Sequence, residues 1–449
     1  MFRTRIRSHT HTHTRTRTRT DIRHRSRTGR RTMLSAAVAA TLLVAGCTQG
    51  SATRTTSDDG RKVVHYLSFT AAPDHLKDLA SLEKSFEKTH PDIDVRVQTA
   101  PFDSYFTQLQ TSVAGGTAPD VFELNQDNFA SYAESGALAD LGALSRTGAT
   151  KNAFTGSSLR AFAYDGKQYG LPSSFSTELL FYNKDLFDKA GLDYPTDDWT
   201  WQDEQHAAQK IQDLGGGVFG DFQHTSYLEF TKALAQNGGS FLSADGTKPA
   251  FDSAAGVAAA KWLTGKVGTT MPTQAQIGGA TDYDTKLFTE GKLGMWHSGS
   301  WFFPTVADFR IHWDVAPEPA AKRKANSVFQ NTLALSSQSR NRDAAWEWMS
   351  YLTTSQEVAQ KRIDTSWELS PATSDALRKQ YIAATPPGNR AAVFQALDDV
   401  APLPQLTDQA EIADIVTNRL QDVVIGRSTP EQALRKAASQ TAPLISRAD

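Results

Sequence analysis

The chain has 449 residues, more than one ordinary domain holds and enough for two lobes with sizeable cores. Its formal net charge of -2 hides an asymmetry: residues 1–46 carry 11 of the 47 basic residues and one of the 49 acidic ones, leaving a body with a net charge of about -12. An acidic body excludes nucleic acid as the partner, because phosphate binding needs a basic face, and 39% hydrophobic with 10% aromatic residues excludes a disordered chain.

Residues 9–20 alternate Thr with His and then Arg, a low-complexity stretch that belongs to an extended leader and not to the fold. After Arg30-Arg31, Met33 to Gly46 forms a short apolar run ending in small residues, the pattern of a cleaved secretion signal and too short to span a bilayer. Cys47 is the only cysteine, so no disulfide forms within the chain. Val44-Ala45-Gly46-Cys47 resembles the lipobox of bacterial lipoproteins, which implies a signal over 1–46 and a lipidated Cys47 at the mature N-terminus. Two acyl chains anchor stably where one does not, so the expected location is extracytoplasmic, on the cell membrane. Residues 47–60, rich in Ser, Thr, Gly and Asp, read as a flexible tether.

From residue 61 strands and helices alternate. Val63 to Phe69 reads as a strand, and Asp74 to Lys88 as a helix with Leu76, Leu79, Leu82 and Phe86 on one face. Ile93, Val95 and Val97 mark a second strand, Ser104 to Ala114 a helix stopped by Gly115-Gly116, and Val121 to Leu124 a third strand before a helix at Phe129. Strands spaced by helices of this length predict parallel β-α-β units. The pattern continues with a strand over Thr177 to Tyr182, helices from Asn183 and Trp201, and a strand over Lys292 to Trp296. One long amphipathic helix is predicted over Asp343 to Lys361, with further helices near 407–424 and 430–439. Gly215 to Gly220 satisfies G-x-G-x-x-G but follows a helix and opens none, so it predicts no dinucleotide site, and no cofactor is expected.

The order of blocks resembles the family-one extracellular solute-binding proteins, the maltose-binding-protein-like receptors of carbohydrate ABC importers. The resemblance rests on Gly115-Gly116-Thr117-Ala118-Pro119-Asp120, Gly170-Leu171-Pro172, Phe181-Tyr182-Asn183-Lys184, Phe288-Thr289-Glu290-Gly291-Lys292, Gly299-Ser300-Trp301 and Ala345-Trp346-Glu347-Trp348. It implies an α/β, two-lobe periplasmic-binding-protein-like fold with a hinge and an interlobe cleft. Lobe I would take 61–172 plus 328–364, and lobe II 174–316 plus 366–449. It implies a monomer that hands a carbohydrate to the transmembrane subunits of an importer and has no catalytic activity of its own.

The residues that would meet the ligand lie beyond the carboxyl ends of strands, where open α/β sheets bind. Ser68, Phe69 and Thr70 end the first strand, where hydroxyls suit a sugar but serve equally to cap the next helix. Asn125 and Asp127 follow the third strand and offer an amide and a carboxylate, against a competing role as helix caps. Ser174 and Ser176 sit at the expected crossing between lobes; the resemblance places a carboxylate at Ser176 in maltose receptors, so maltose itself is a poor fit. The resemblance gives Trp301 the role of stacking on a sugar ring, with Trp367 before Ser370-Pro371 as a second platform. Trp199, Trp201, Trp346 and Trp348 read as packing residues. The same fold takes other solutes, such as a glycerol-phosphate, a polyamine or a peptide, and a secreted glycoside hydrolase is the rival from another class. An anion would call for a convergent Arg or Lys and a polyamine for clustered carboxylates; amides, hydroxyls and aromatics suit a neutral polyhydroxylated ligand.

Overall fold

The computed structural model describes residues 55–69, 73–146, 148–280 and 282–445; the expected signal, Cys47 and Thr70 lie outside the described residues. Strand β1 (Lys62–Ser68) pairs in parallel with β2 (Ile93–Thr99) and β3 (Val121–Asn125), with helices Pro73–Thr89, Phe102–Ala114 and Gln126–Glu134 after them in turn. A two-residue-a-side hairpin, β4 (Ala163–Tyr164) and β5 (Lys167–Gln168), leads into the 14-residue strand β6 (Gly170–Asn183). Then come β7 (Phe219–Phe222), β8 (Leu293–Gly299), β9 (Trp313–Ala316) and β10 (Val328–Leu335).

The hydrogen-bonded order is β2-β1-β3-β10-β6-β8-β7, with β9 also on β6. The expected parallel pairing holds for β1 with β2 and β3 and for β7 with β8; the crossing strands β6 and β10 run antiparallel to their neighbours. β6 carries the chain from one lobe to the other. Its first half pairs with β10 and its second half, from Glu178, with β8 and β9. Ser173 is the extra residue where Thr332 faces Pro172 and Asn331 faces Ser174, so a bulge falls between the two expected lobes.

Each lobe has its own apolar interior. Val64, Tyr66, Phe86 and Trp348 lie in a core of lobe I, and Phe181, Trp296, Phe288 and Trp313 in one of lobe II. Helix Gln356–Asp364 serves both, with Val358 in the first and Ala359 and Ile363 in the second. The single helix expected over 343–361 is instead two, Arg342–Thr354 and Gln356–Asp364. Ser355 breaks it by taking an extended backbone (ψ 132) and accepting the Glu357 N–H on its hydroxyl, a capping geometry that outcompetes helical continuation.

The tether expected over 47–60 is, at its far end, a fixed turn. Thr56 bridges Lys62, the Thr55 carbonyl accepts from Val63 N–H (3.0 Å) and from Asn341 Nδ2 (2.6 Å), and Gly60 supplies the left-handed φ of 87°. The three glycines at 215–217 all have positive φ and form the turn into β7, so the G-x-G-x-x-G pattern lies in a turn between a helix and a strand. Among the described residues no helix is long and apolar enough to cross a membrane.

Candidate functional site

Because β1, β2 and β3 are parallel, their carboxyl ends share one edge, and the crossing strands continue it toward lobe II. Asn125 ends β3 and caps helix Gln126–Glu134, its Oδ1 accepting from the backbone N–H (3.2 Å) and Nδ2 (2.8 Å) of Asn128. Asn331 of β10 lies opposite Asn125 on one side and opposite Ser174 on the other, and its Nδ2 donates to Ser174 Oγ at 3.0 Å. The sheet thus delivers an unbroken row of amide and hydroxyl groups across the hinge.

Alternation along β6 sorts its side chains. Phe175 and Thr177 turn to one face, where Phe175 bridges Leu369 and the Thr177 hydroxyl donates to the Val393 carbonyl at 3.2 Å. Ser174, Ser176 and Glu178 turn to the other, with Phe329 of β10 opposite Ser176. Trp301 stands edge-on to Phe329 with ring centroids 4.8 Å apart. Its indole lies across Gly299 so closely that a Cβ there would fall 1.8 Å from the ring, so only glycine fits beneath it. Trp301 is half-buried, as a platform at a cleft must be.

The structure places two of the expected contacts in packed positions. Ser68 is fully buried and its hydroxyl donates to Glu123 Oε2 (3.0 Å), which also accepts the Phe69 N–H at 3.2 Å. Ser68 therefore fixes the end of β1; burial raises the pKa of the Glu123 carboxyl that it holds. Trp367 packs into the lobe I core at 5% exposure, with the Arg362 guanidinium 4.2 Å and the His75 ring 4.6 Å from its own ring. A ring engaged by a cation and an imidazole offers no platform to a sugar. Trp348 and Trp346 are buried and Trp201 stacks on Trp262 at 4.7 Å, in keeping with packing roles.

Lobe II supplies groups that the sequence did not single out. Gln223 follows β7 at its carboxyl end, and Tyr227 and Gln409 each open a helix. Gln223 Oε1, Tyr227 Oη, Gln409 Oε1 and the hydroxyls of Ser173 and Ser176 are buried with no hydrogen-bond partner among the described residues. An unmet buried polar atom costs about 1–3 kcal/mol, which gives each of these oxygens a reason to take an outside partner. Gln409 and Thr231 adjoin the Tyr227 hydroxyl without closing a hydrogen bond, and across the cleft Asp127 is near enough to influence it. Burial raises the Asp127 carboxyl above the ordinary range. The lobes touch on this side: helix Gln126–Glu134 packs on helix Gln409–Val424, and Gln405 Nε2 donates to the Ala161 carbonyl at 2.6 Å.

Beneath this surface runs a buried ionic chain. Lys232 Nζ, wholly inaccessible, lies 2.8 Å from Glu178, 2.9 Å from Glu229 and 2.7 Å from Glu318. The imidazole of His297 continues it, 2.8 Å from Glu318 and 3.0 Å from Glu204. Lys266 closes it between Glu204 (2.7 Å) and Asp221 (2.9 Å). Burial opposes the charge on His297, but Glu318 and Glu204 outweigh it and lift its pKa to about 10, so both ring nitrogens donate. Burial would also raise Glu204, yet Lys266 and His297 pull it down to about 2. Glu178 is pushed well up by burial and by the Glu229 charge, against the pull of the Lys232 ammonium. Glu204, Asp221 and His297 have the donor set of a metal site, but the Lys266 ammonium already stands between the two carboxylates as their cation. The chain also fixes the Gln223 amide, since Glu229 accepts Gln223 Nε2 at 2.7 Å, while its Oε1 has no partner among the described residues.

Two α/β lobes joined by crossing strands, with hydroxyls, amides and an indole gathered at strand ends, define a hinged solute-binding protein. The chain belongs to the bacterial extracellular solute-binding protein family, whose model matches residues 70–359. It is similar to an ABC substrate-binding protein of Listeria monocytogenes solved with cycloalternan: 40% identity over 84% of this chain and 97% of that one, TM-score 0.80. Among curated relatives it is 24% identical to the arabinooligosaccharide-binding protein of Bacillus subtilis over 425 residues, 89% of this chain and 96% of that one. A putative binding protein of Brucella abortus is 26% identical over 383 residues, 81% of this chain and 89% of that one. A maltose-bound Thermotoga maritima protein shares the two-lobe fold at 22% identity, 84% of this chain, 98% of that one and TM-score 0.74.

Proposed function

We propose that this chain captures a neutral oligosaccharide outside the cytoplasm and delivers it to an ABC importer. The observation that carries this reading is the set of buried, unmet hydroxyl and amide oxygens on both sides of the crossing strands, beside a half-buried Trp301. A sugar offers both an apolar C–H face for the indole and hydroxyls that donate to and accept from those oxygens. The groups facing it are Phe69, Asn125, Asp127, Ser174, Ser176 and Trp301, joined by Gln223, Tyr227 and Gln409. The binding partners named for the relatives, cycloalternan and arabinooligosaccharide, are of the same chemical class. Those relatives are named as binding proteins, and we read binding without catalysis for this chain, acting as a monomer held to the membrane by a lipidated Cys47.

Calorimetry with cycloalternan as the probe tests the reading. Trp301→Ala is expected to lose roughly 30- to 1000-fold in affinity, the 2–4 kcal/mol range of a hot-spot aromatic. The unfolding midpoint of the ligand-free protein should shift less than for a core tryptophan, because the indole is only partly buried. Near-normal affinity with a large fall in midpoint would return Trp301 to the core and remove the stacking role.

A further inference from the structure

Away from the crossing strands, the same edge of lobe I carries an aromatic cluster with one ring left in solvent. Phe69, just beyond β1, meets Phe102 edge-on at 5.6 Å and Tyr105 at 5.2 Å. Phe106 closes the group, 5.5 Å from Phe102 and 5.1 Å from Tyr105. Tyr105 is fully buried and its hydroxyl donates to the Leu67 and Glu123 carbonyls, so the cluster is bolted to β1 and β3. Phe102, by contrast, is 53% exposed. A lone exposed phenyl needs no explanation. This one is the outer ring of a rigid, preorganised apolar surface, and it opens beyond the end of β2 on the edge where the cleft lies.

Its distance from the polar groups is fixed by strand order. From β6 to β1 is three strand spacings and to β2 four, which places the Phe69–Phe102 surface roughly 14–19 Å from Ser174 and Ser176. One pyranose ring does not reach from one to the other. We infer that Phe102 is a second, distal stacking subsite, which engages an outer ring of a ligand whose inner rings lie against Trp301 and the crossing strands. The site then selects an oligosaccharide over a monosaccharide. The inference rests on the carbohydrate reading above and adds to it the length that the site reads.

The test is a calorimetric series from arabinose to arabinohexaose, with cycloalternan, on wild type, Phe102→Ala and Phe102→Trp. Phe102→Ala is expected to leave the affinity of the shortest binding member within about twofold and to weaken the longest roughly five- to thirtyfold. Phe102→Trp should retain or strengthen the longest. The ligand-free midpoint should hardly move, since an exposed ring contributes little to the fold. An equal loss at every length, or no loss at any, overturns the distal subsite while leaving the central site intact. If no member, cycloalternan included, binds wild type, the carbohydrate reading itself fails and the length reading falls with it.

Discussion

Lys232 is the residue whose removal the structure predicts most sharply. Its ammonium is inaccessible and touches Glu178, Glu229 and Glu318 within 2.9 Å, while Glu178 sits on the crossing strand two residues from Ser176. Lys232→Met keeps the volume of the stem and deletes the charge. The carboxylates left short of positive charge are Glu178, Glu229 and Glu318, of which Glu318 alone keeps a second cationic neighbour, His297 at 2.8 Å. Breaking a buried pair by removing one partner costs about 3–5 kcal/mol, and losses within one network do not add, so we expect that range and not its multiple. Against a typical total of about 5–15 kcal/mol this is a large share. Urea unfolding followed by tryptophan fluorescence reads it, because Trp296 lies in the lobe II core. The cycle with Glu318→Gln should show strong coupling, the double variant being more stable than the two single losses imply, because the second change removes a charge that the first has stranded. Lys232→Arg should not rescue, since a guanidinium fork is bulkier and planar where three carboxylates converge on one nitrogen. A loss below about 1 kcal/mol, or additivity in the cycle, would refute the claim that the three carboxylates depend on this ammonium.

Two further outcomes follow. The raised pKa of His297 means that the folded protein binds more protons than the unfolded chain between the ordinary histidine value and about 10. Its stabilisation, set by Glu318 and Glu204 with Lys232 and Lys266 beyond them, is complete below about pH 6.5 and is lost as pH climbs toward 10, at up to about 1.4 kcal/mol per pH unit. His297→Gln should flatten that alkaline limb in midpoint-against-pH measurements; an unchanged limb would assign it elsewhere. For the anchor, Cys47→Ser should move the protein from the membrane fraction to the soluble extracytoplasmic fraction in cells lacking the importer, and persistent membrane association would contradict lipidation.

What the sequence exposed, and what it hid, divides along physical lines. The alternating apolar runs of β1, β2 and β3 and the amphipathic helices between them were readable because each buries one face. β7 was not: Phe219-Gly220-Asp221-Phe222 is too short and too polar to register as a strand, although Asp221 is buried against Lys266. With β7 unread, Gln223 at its carboxyl end carried no signal. The helix over 343–361 failed for the opposite reason, since its apolar period runs on through Ser355, and only the local competition of a serine cap ends it.

The ionic chain shows the deeper limit. Glu229 and Lys232 stand three apart in the helix Tyr227–Gln236, the spacing of an ordinary surface pair, and nothing in that segment announces that both are buried. The other partners of Lys232 arrive from β6 and the segment before β10, 54 and 86 residues away in sequence, so the compensation is visible only once the lobe is assembled. Function follows the same division. Of the proposed contacts, Trp301 and the Asn125–Asp127 turn come from family resemblance at strand ends, whereas Gln223, Tyr227 and Gln409 are suggested by unmet oxygens, a property of the packed state alone. The buried charges below those oxygens tie the two sets together. Lys232 grips Glu178 on the hinge strand and Glu229 beneath Gln223, so one ammonium holds both the crossing strand and a cleft amide in place. A binding site whose polar atoms must await a ligand needs such a rigid support, because mobile groups would meet one another instead.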